Sequence, residues 1–264
     1  MICPNCENVY EGNFCNDCGQ KTLHGRYTIK GLASELIFSS FHLEKKGLLY
    51  TVKELTLRPG IAIKNVLEGQ RLSLYPPFKY LILVGAIIVV LSLRYGFFHN
   101  DELTSSNSEF YSMSFLSDYK MYLDGFFKFA EDYATLLNIV AIPIFSVFSF
   151  LFFKKYNYNF AENLIINTFI TAQQLLFLVL LIPFIEFIPG IKHILIPIYT
   201  IGIMLFNAFT YVQLFGISFS NIYRSIITVI TGFLYQLPVN FTVYFIAQKY
   251  FIPYIHLLPE LKLP

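Results

Sequence analysis

Apolar residues run through five stretches of the chain with little polar interruption: about 77–98, 134–153, 164–188, 191–215 and 223–251. Each reaches the roughly 20 residues that a membrane-crossing helix needs. Only Pro189 and Gly190 separate the third from the fourth, which predicts a tight antiparallel hairpin. Pro143, Pro183, Pro197 and Pro238 fall inside these stretches. Within a bundle such prolines kink a helix, and neighbouring helices satisfy the freed carbonyls. A gating hinge is the alternative reading.

The preceding segment has a different pattern. Ile29, Leu32, Ala33, Leu36, Ile37 and Phe41 recur at i, i+3, i+4, i+7, i+8 and i+12, which is one stripe of a helix. Leu48, Val52 and Leu55 form a second stripe. Ala62, Ile63, Val66 and Leu67 form a third, opened by Pro59 and closed by Gly69. From Arg26 to Lys79 the segment carries nine Lys/Arg and four acids, Glu35, Glu44, Glu54 and Glu68. A basic amphipathic collar beside a span suits the inner leaflet, where each basic residue contributes about 1 kcal/mol. Arg58, Lys64, Arg71 and Lys79 are the candidate lipid contacts. The alternative is that these helices cover the end of the bundle and their charges are solvated. Pro76 and Pro77 make a rigid lead-in to the first span.

Composition supports lipid as the solvent. Of 264 residues 55% are hydrophobic and 14% charged, whereas soluble domains carry about 25% charged residues. Lys and Arg then set the orientation. Residues 1–80 hold ten: Lys21, Arg26, Lys30, Lys45, Lys46, Lys53, Arg58, Lys64, Arg71 and Lys79. The loop at about 99–133 holds Lys120 and Lys128 against Asp101, Glu102, Glu109, Asp118, Asp124, Glu131 and Asp132. Lys154 and Lys155 follow the second stretch, and Arg224 opens the fifth. The expected topology has a cytoplasmic N-terminus, an acidic outer loop and an extracytoplasmic C-terminus. Arg94 near the outer end of the first span fits by snorkelling or by pairing with that loop. A basic n-region leading to an apolar h-region is not visible, so the first span is expected to serve as the insertion signal.

The cysteines are Cys3, Cys6, Cys15 and Cys18, two Cys-x-x-Cys pairs within the first 20 residues. A reducing compartment favours metal ligands over disulfides. Four thiolates suit structural zinc and leave no open coordination position. The spacing matches no common iron–sulfur pattern. A knuckle this small has no core of its own, so the metal is its fold. Residues 1–20 hold Glu7, Glu11 and Asp17 and no Lys or Arg, which argues against nucleic acid.

No catalytic constellation emerges. His42 and Glu44 stand at i and i+2 and do not share a helical face. Glu186 and His193 face each other across the Pro189–Gly190 turn, as interfacial residues or a proton relay. Asn138, Gln173, Gln174, Asn207, Gln213, Gln236 and Asn240 are the polar residues deep in the apolar stretches. Such amides hold helices together at about 0.6–2 kcal/mol each. The alternative is a polar cavity that accepts a solute or a lipid headgroup. With no buried charge, ion coupling has little support.

The strings FCNDCGQK (14–21), FHLEKKGLLYTVKEL (41–55), RPG (58–60), EGQR (68–71) and YPPFKYL (75–81) resemble a family of uncharacterised bacterial inner-membrane proteins. That family is known only as a domain of unknown function with an N-terminal zinc ribbon. The resemblance covers the first third of the chain and implies fold and location, not activity. At the level of topology alone, five spans with a cytoplasmic N-terminus also resemble Yip1-type membrane proteins.

The expected protein is an all-α, five-span bundle. It has a zinc knuckle (1–21), amphipathic helices (22–76), a membrane bundle (77–251) and an outer tail (252–264). The expected function is that of a non-enzymatic scaffold or adaptor in a bacterial inner membrane. Its knuckle docks a cytoplasmic protein and its collar contacts lipid, with no role for nucleic acid. The alternative is a transporter or lipid-handling protein with a polar cavity among Gln173, Gln174, Asn207, Gln236 and Asn240. Oligomeric state is not legible.

Overall fold

A computed structural model describes residues 1–22, 25–32, 47–95, 134–188 and 191–250. The helices are α1 (Leu48–Leu57), α2 (Pro59–Leu67), α3 (Pro77–Tyr95), α4 (Ala134–Phe152), α5 (Phe160–Phe187), α6 (Lys192–Phe215) and α7 (Phe219–Tyr250). A single 3-10 turn, Lys154–Tyr156, joins α4 to α5. Among the described residues there is no strand, only two isolated bridges near the N-terminus. The stripe through Ala33, Leu36, Ile37 and Phe41, the acidic loop at about 99–133, the Pro189–Gly190 turn and the tail 252–264 lie outside the described residues.

Local chemistry accounts for the helix boundaries. Pro59 has no N–H, so α1 stops at Arg58 and α2 restarts with the proline in its first turn. The Arg58 guanidinium returns to Glu54 at 2.6 and 3.0 Å and braces the corner. Asn157 closes the 3-10 turn in the left-handed conformation. Asn159 then caps α5 through a reciprocal box, with its side chain accepting from the Glu162 amide and Glu162 accepting from the Asn159 amide. At the far end of the next connection, Asn221 donates to the carbonyls of Phe215 and Gly216 and ties the start of α7 to the end of α6.

Helix α5 is the axis of the bundle. It packs on α3, α4 and α6, and also meets α1 and α2. Some 56% of its most apolar window is buried, against 17% for α6 and 18% for α7. Those three helices are long and apolar enough to cross a membrane; the apolar parts of α3 and α4, Pro77–Leu91 and Leu137–Phe152, are shorter. Outward faces of α6 and α7 carry exposed stripes: Ile194, Ile198, Ile201 and Leu205 on one, Ile222, Ile226, Ile230 and Leu234 on the other. A soluble bundle turns such stripes inward. Length, composition and these outward stripes are those of a membrane protein.

The four prolines lie inside continuous helices: Pro143 in α4, Pro183 in α5, Pro197 in α6 and Pro238 in α7. The described bundle is closed at one end by stacked rings. Phe153 lies 3.9 Å from Phe215, centroid to centroid, with Tyr156 and Tyr211 alongside.

Candidate functional site

The N-terminal 22 residues form two copies of one turn, displaced by twelve positions. Ile2 bridges Val9, and Phe14 bridges Lys21. Each bridge is followed by a cysteine, a Cys-x-x-Cys turn and a residue with positive φ: Glu7 at 62° and Gly19 at 78°. Tyr10 and Thr22 occupy matching positions, and the Tyr10 hydroxyl donates to Thr22 Oγ1 at 3.1 Å. The two turns face each other and place their four sulfurs within 4.8 Å of one another. The cysteines are free; Cys3 and Cys18, and Cys6 and Cys15, are 3.5 Å apart, far beyond a disulfide bond.

These residues fit a metal ion. Four thiolates about 2.3 Å from a tetrahedral ion stand about 3.8 Å apart, within the observed range. Backbone amides point at the sulfurs, as the Gln20 amide does at Cys18 Sγ. The amides of Cys18 and Asp17 push the Cys15 thiol down to about 6. At Cys6 the pull of the Asn8 amide is outweighed by burial and the neighbouring sulfurs, which push it up to about 12. Burial raises Cys18 as well. Binding of a cation displaces the remaining thiol protons. A tetrahedral ion held by these four sulfurs would have no open coordination position.

Glu7 occupies the left-handed position that glycine fills in the second turn. Glycine there costs less, because it has no Cβ to crowd the carbonyl. Glu7→Gly is expected to stabilise the metal-loaded knuckle by about 1 kcal/mol. Slower loss of metal to a chelator is the readout, and faster loss would contradict the assignment.

The knuckle is not a free appendage. Gln20 is buried and clamps the turn between α2 and α3: its Nε2 donates to the Gly69 carbonyl at 2.8 Å, and its Oε1 accepts from the Arg71 amide at 3.0 Å. Leu72 packs on the cysteine cluster. Arg71 lies over the Tyr27 ring at 3.9 Å and donates to the Gly25 carbonyl. Beside it, Arg26 pairs with the buried Glu162 of α5 and donates to the Asn157 carbonyl at 2.6 Å. Asn159 donates to the Tyr27 carbonyl at 2.9 Å. The knuckle and the strap after it are thus latched onto the N-terminal end of the central helix.

The collar's basic residues also have protein partners. Arg58 pairs with Glu54, Lys64 lies 3.8 Å from Glu68, and Arg71 lies over Tyr27. Lys79 is half-buried at the start of α3. The side chains of Arg58 and Lys64 stay about half exposed.

Inside the bundle four of the amides expected from the sequence, Gln173, Gln174, Asn207 and Gln213, are engaged by hydrogen bonds. Tyr80 donates to Gln173 at 2.6 Å, and Gln173 donates to Thr56 of α1 at 2.8 Å. Gln174 donates to Asn207 at 2.5 Å and its carbonyl accepts from Tyr199. Gln213 accepts from the Gly60 amide at 3.1 Å. A further hub went unread in the sequence. Asn167 donates to Ser149, Ser146 and the Asn163 carbonyl, and accepts from the Tyr211 hydroxyl at 2.5 Å. Its signal was available: Asn163, Asn167, Thr171 and Gln174 stand at i, i+4, i+8 and i+11, one stripe of α5. The cap box of Asn159 and Glu162 was legible for the same reason. Nothing local announces that Arg26 reaches Glu162.

Asn138, Asn167, Thr171, Gln174, Asn207 and Gln236 surround a cavity of about 20 Å³, where α4, α5, α6 and α7 meet. That is room for a single water. Gln173 is not part of this lining, because it turns to Tyr80 and Thr56. Asn240 is not part of it either, and its buried Oδ1 has no partner among the described residues. The Glu186 and His193 side chains, and His42 and Glu44, lie outside the described side chains.

Removing the hub has a defined consequence. Asn167→Leu removes the Tyr211 hydroxyl's acceptor at 2.5 Å and leaves it only the neighbouring Ser149, which costs about 1–3 kcal/mol. Adding Tyr211→Phe to that variant should recover most of the loss. The comparison is the denaturation midpoint of both in detergent; equal midpoints for the single and double variants would remove the hub from the account.

No family model, curated protein or solved structure matches the chain.

Proposed function

We propose that this chain is a multi-pass membrane scaffold without catalytic activity, whose zinc-bound knuckle presents a fixed docking face to a protein partner. In this reading α3 to α7 are five spans, and the knuckle and collar lie on the cytoplasmic side. The strings shared with the bacterial inner-membrane family favour that membrane. Zinc is the metal because four closely set thiolates suit it and leave no open position.

The observation that carries the reading is the latch between Gln20 and the Gly69–Arg71 backbone. A knuckle held by its own clamp, with its outer side chains exposed, is built to present a surface. The interior agrees: Gln174, Asn207 and Asn167 are hydrogen-bonded, and the space they help to line is water-sized. The basic side chains of the collar, half exposed beside the apolar Leu49, Leu57 and Ile61, suit contact with an anionic leaflet. A transporter or lipid-handling role draws on the same cavity at a four-helix junction. Small-molecule sites measure roughly 300–1,000 Å³, so that role requires the bundle to open well beyond the arrangement described.

Crosslinked membranes purified through the wild-type chain and through a Cys3→Ser/Cys6→Ser variant test the proposal. The expected result is a partner retained by the first and lost from the second. Identical partners from both would remove the docking role. Reporter fusions after residues 128 and 155 should read outside and inside respectively.

A further inference from the structure

We propose that the outer face of the first knuckle binds a partner segment in which apolar residues are flanked by Lys or Arg. This rests on the scaffold reading above and specifies the chemistry of its partner. The Ile2–Val9 bridge is bracketed by the backbone bonds Cys3 N to Asn8 O (2.9 Å) and Tyr10 N to Met1 O (3.0 Å). It is therefore the narrow, non-hydrogen-bonded kind of antiparallel pair, with Cα atoms about 4.5 Å apart and side chains in contact on one face. Both side chains are 70% exposed, and Phe14 of the second knuckle is 55% exposed.

Two isoleucine- and valine-sized groups left outside on a module this small are unusual, since the module has few apolar groups to spare. Tyr10, Cys3, Cys15 and Cys18 are buried around the candidate metal centre, while Met1 and Phe14 are exposed like the pair itself. Exposure next to the bridge is not uniform along the chain. Glu7, Val9 and Glu11 are exposed while Tyr10 is buried. Glu11 lies two residues beyond Val9, which on an extended chain sets it on the same side about 7 Å away, and Glu7 is exposed at the end of the Cys-x-x-Cys turn two residues before Val9. Glu7 holds its carboxylate there in a left-handed conformation that its counterpart in the second knuckle satisfies with Gly19. The face is thus an apolar pair between two acids, and no Lys or Arg precedes Lys21.

Charge selects the occupant. An anionic leaflet or nucleic acid meets two carboxylates, and the one nearby cation, the Met1 ammonium, is engaged by the Tyr10 carbonyl at 2.9 Å. A second copy of this chain, docking through the same face, sets acid against acid, a juxtaposition that interfaces avoid. A basic–apolar segment seats its apolar side chain on Ile2 and Val9 and pairs its cations with Glu7 and Glu11.

The test uses the full-length, metal-loaded protein in zwitterionic nanodiscs and two labelled probes, the peptides Lys-Leu-Lys-Leu-Lys and Glu-Leu-Glu-Leu-Glu. The basic peptide should bind, and both Ile2→Ser/Val9→Ser and Glu7→Lys/Glu11→Lys should weaken it by about tenfold or more while metal content is unchanged. Equal binding of the two peptides, or binding indifferent to both variants, overturns the proposal. A second arm places a photo-crosslinking residue at Val9 in native membranes and sequences the adducts. Adducts on a segment with apolar residues between Lys or Arg support the proposal. Adducts on neutral or acidic protein segments overturn it and leave the scaffold reading standing. Lipid adducts alone, or none, overturn both.

Discussion

Cys15→Ser is expected to release the entire N-terminal module rather than loosen one ligand. Cys15 is 2% exposed, and the module's only cluster of buried side chains is Cys3, Tyr10, Cys15 and Cys18. Nothing else there resembles a core. On the proposed zinc reading, metal binding supplies the folding energy, about 10–16 kcal/mol for a structural zinc. A serine hydroxyl is a poor substitute for a soft thiolate. With the fold gone, Gln20 leaves the Gly69 carbonyl and the Arg71 amide, and Leu72 loses its cover. The bundle should survive, because α5 draws its burial from α3, α4 and α6. Metal analysis should fall from about one ion per chain to none. Proteolysis should open residues 1–22, while helical circular dichroism holds. Retained metal, or a bundle that melts together with the knuckle, would show that the two are not organised as described.

Gly60→Ala is the second large effect, and it acts on the seam between α2 and α6. A Cβ at Gly60 would stand 2.5 Å from Gln213 Cβ, from the Leu214 nitrogen and from the Thr210 oxygen. Two of those are backbone atoms, so no rotamer change relieves the overlap and the helices must part. The separation breaks the Gly60 amide's bond to Gln213 and unseats Ala62, Ile63 and Val66, all buried in the same helix. Overpacking of this kind costs about 1–3 kcal/mol, and more where backbone must move. Gly202 in α6 is the control. A Cβ there meets nothing within 4 Å, so Gly202→Ala should be neutral or gain up to about 1 kcal/mol of helix propensity. Thiol labelling of an introduced Ile63→Cys should become faster in the first background only. Equal labelling in both would mean the seam tolerates the methyl group.

Several elements were readable without coordinates. Pro59 as the start of a helix, the second and third collar stripes, the long apolar helices and the cysteine pairs all follow from spacing of three, four or seven residues and from the chemistry of single residue types. The structure adjusts their ends. The third apolar stretch, expected from Leu164, begins at Phe160 because Asn159 and Glu162 cap it there. The fifth, expected from Tyr223, begins at Phe219 because Asn221 ties that turn to the end of α6. Both caps are polar, and hydropathy alone passes over them. The deep amides were found, but their partners were not. Gln173 and Gln174 are adjacent in sequence and point to different neighbours, as consecutive helical positions must, about 100° apart.

Residue types and their spacing already carry the chemistry: four thiols at metal-binding spacing, an apolar helical body and a basic amphipathic segment between them. Those features are periodic or local, and each residue type carries its own constraint. Three contacts exist only in the folded chain: Gln20 latches the knuckle to the α2–α3 turn, Arg26 finds Glu162 across 136 positions, and Gln174 meets Asn207 between α5 and α6. These contacts join residues far apart in the chain. Their free energy depends on which surfaces meet and on what is buried when they do, and no local spacing records that.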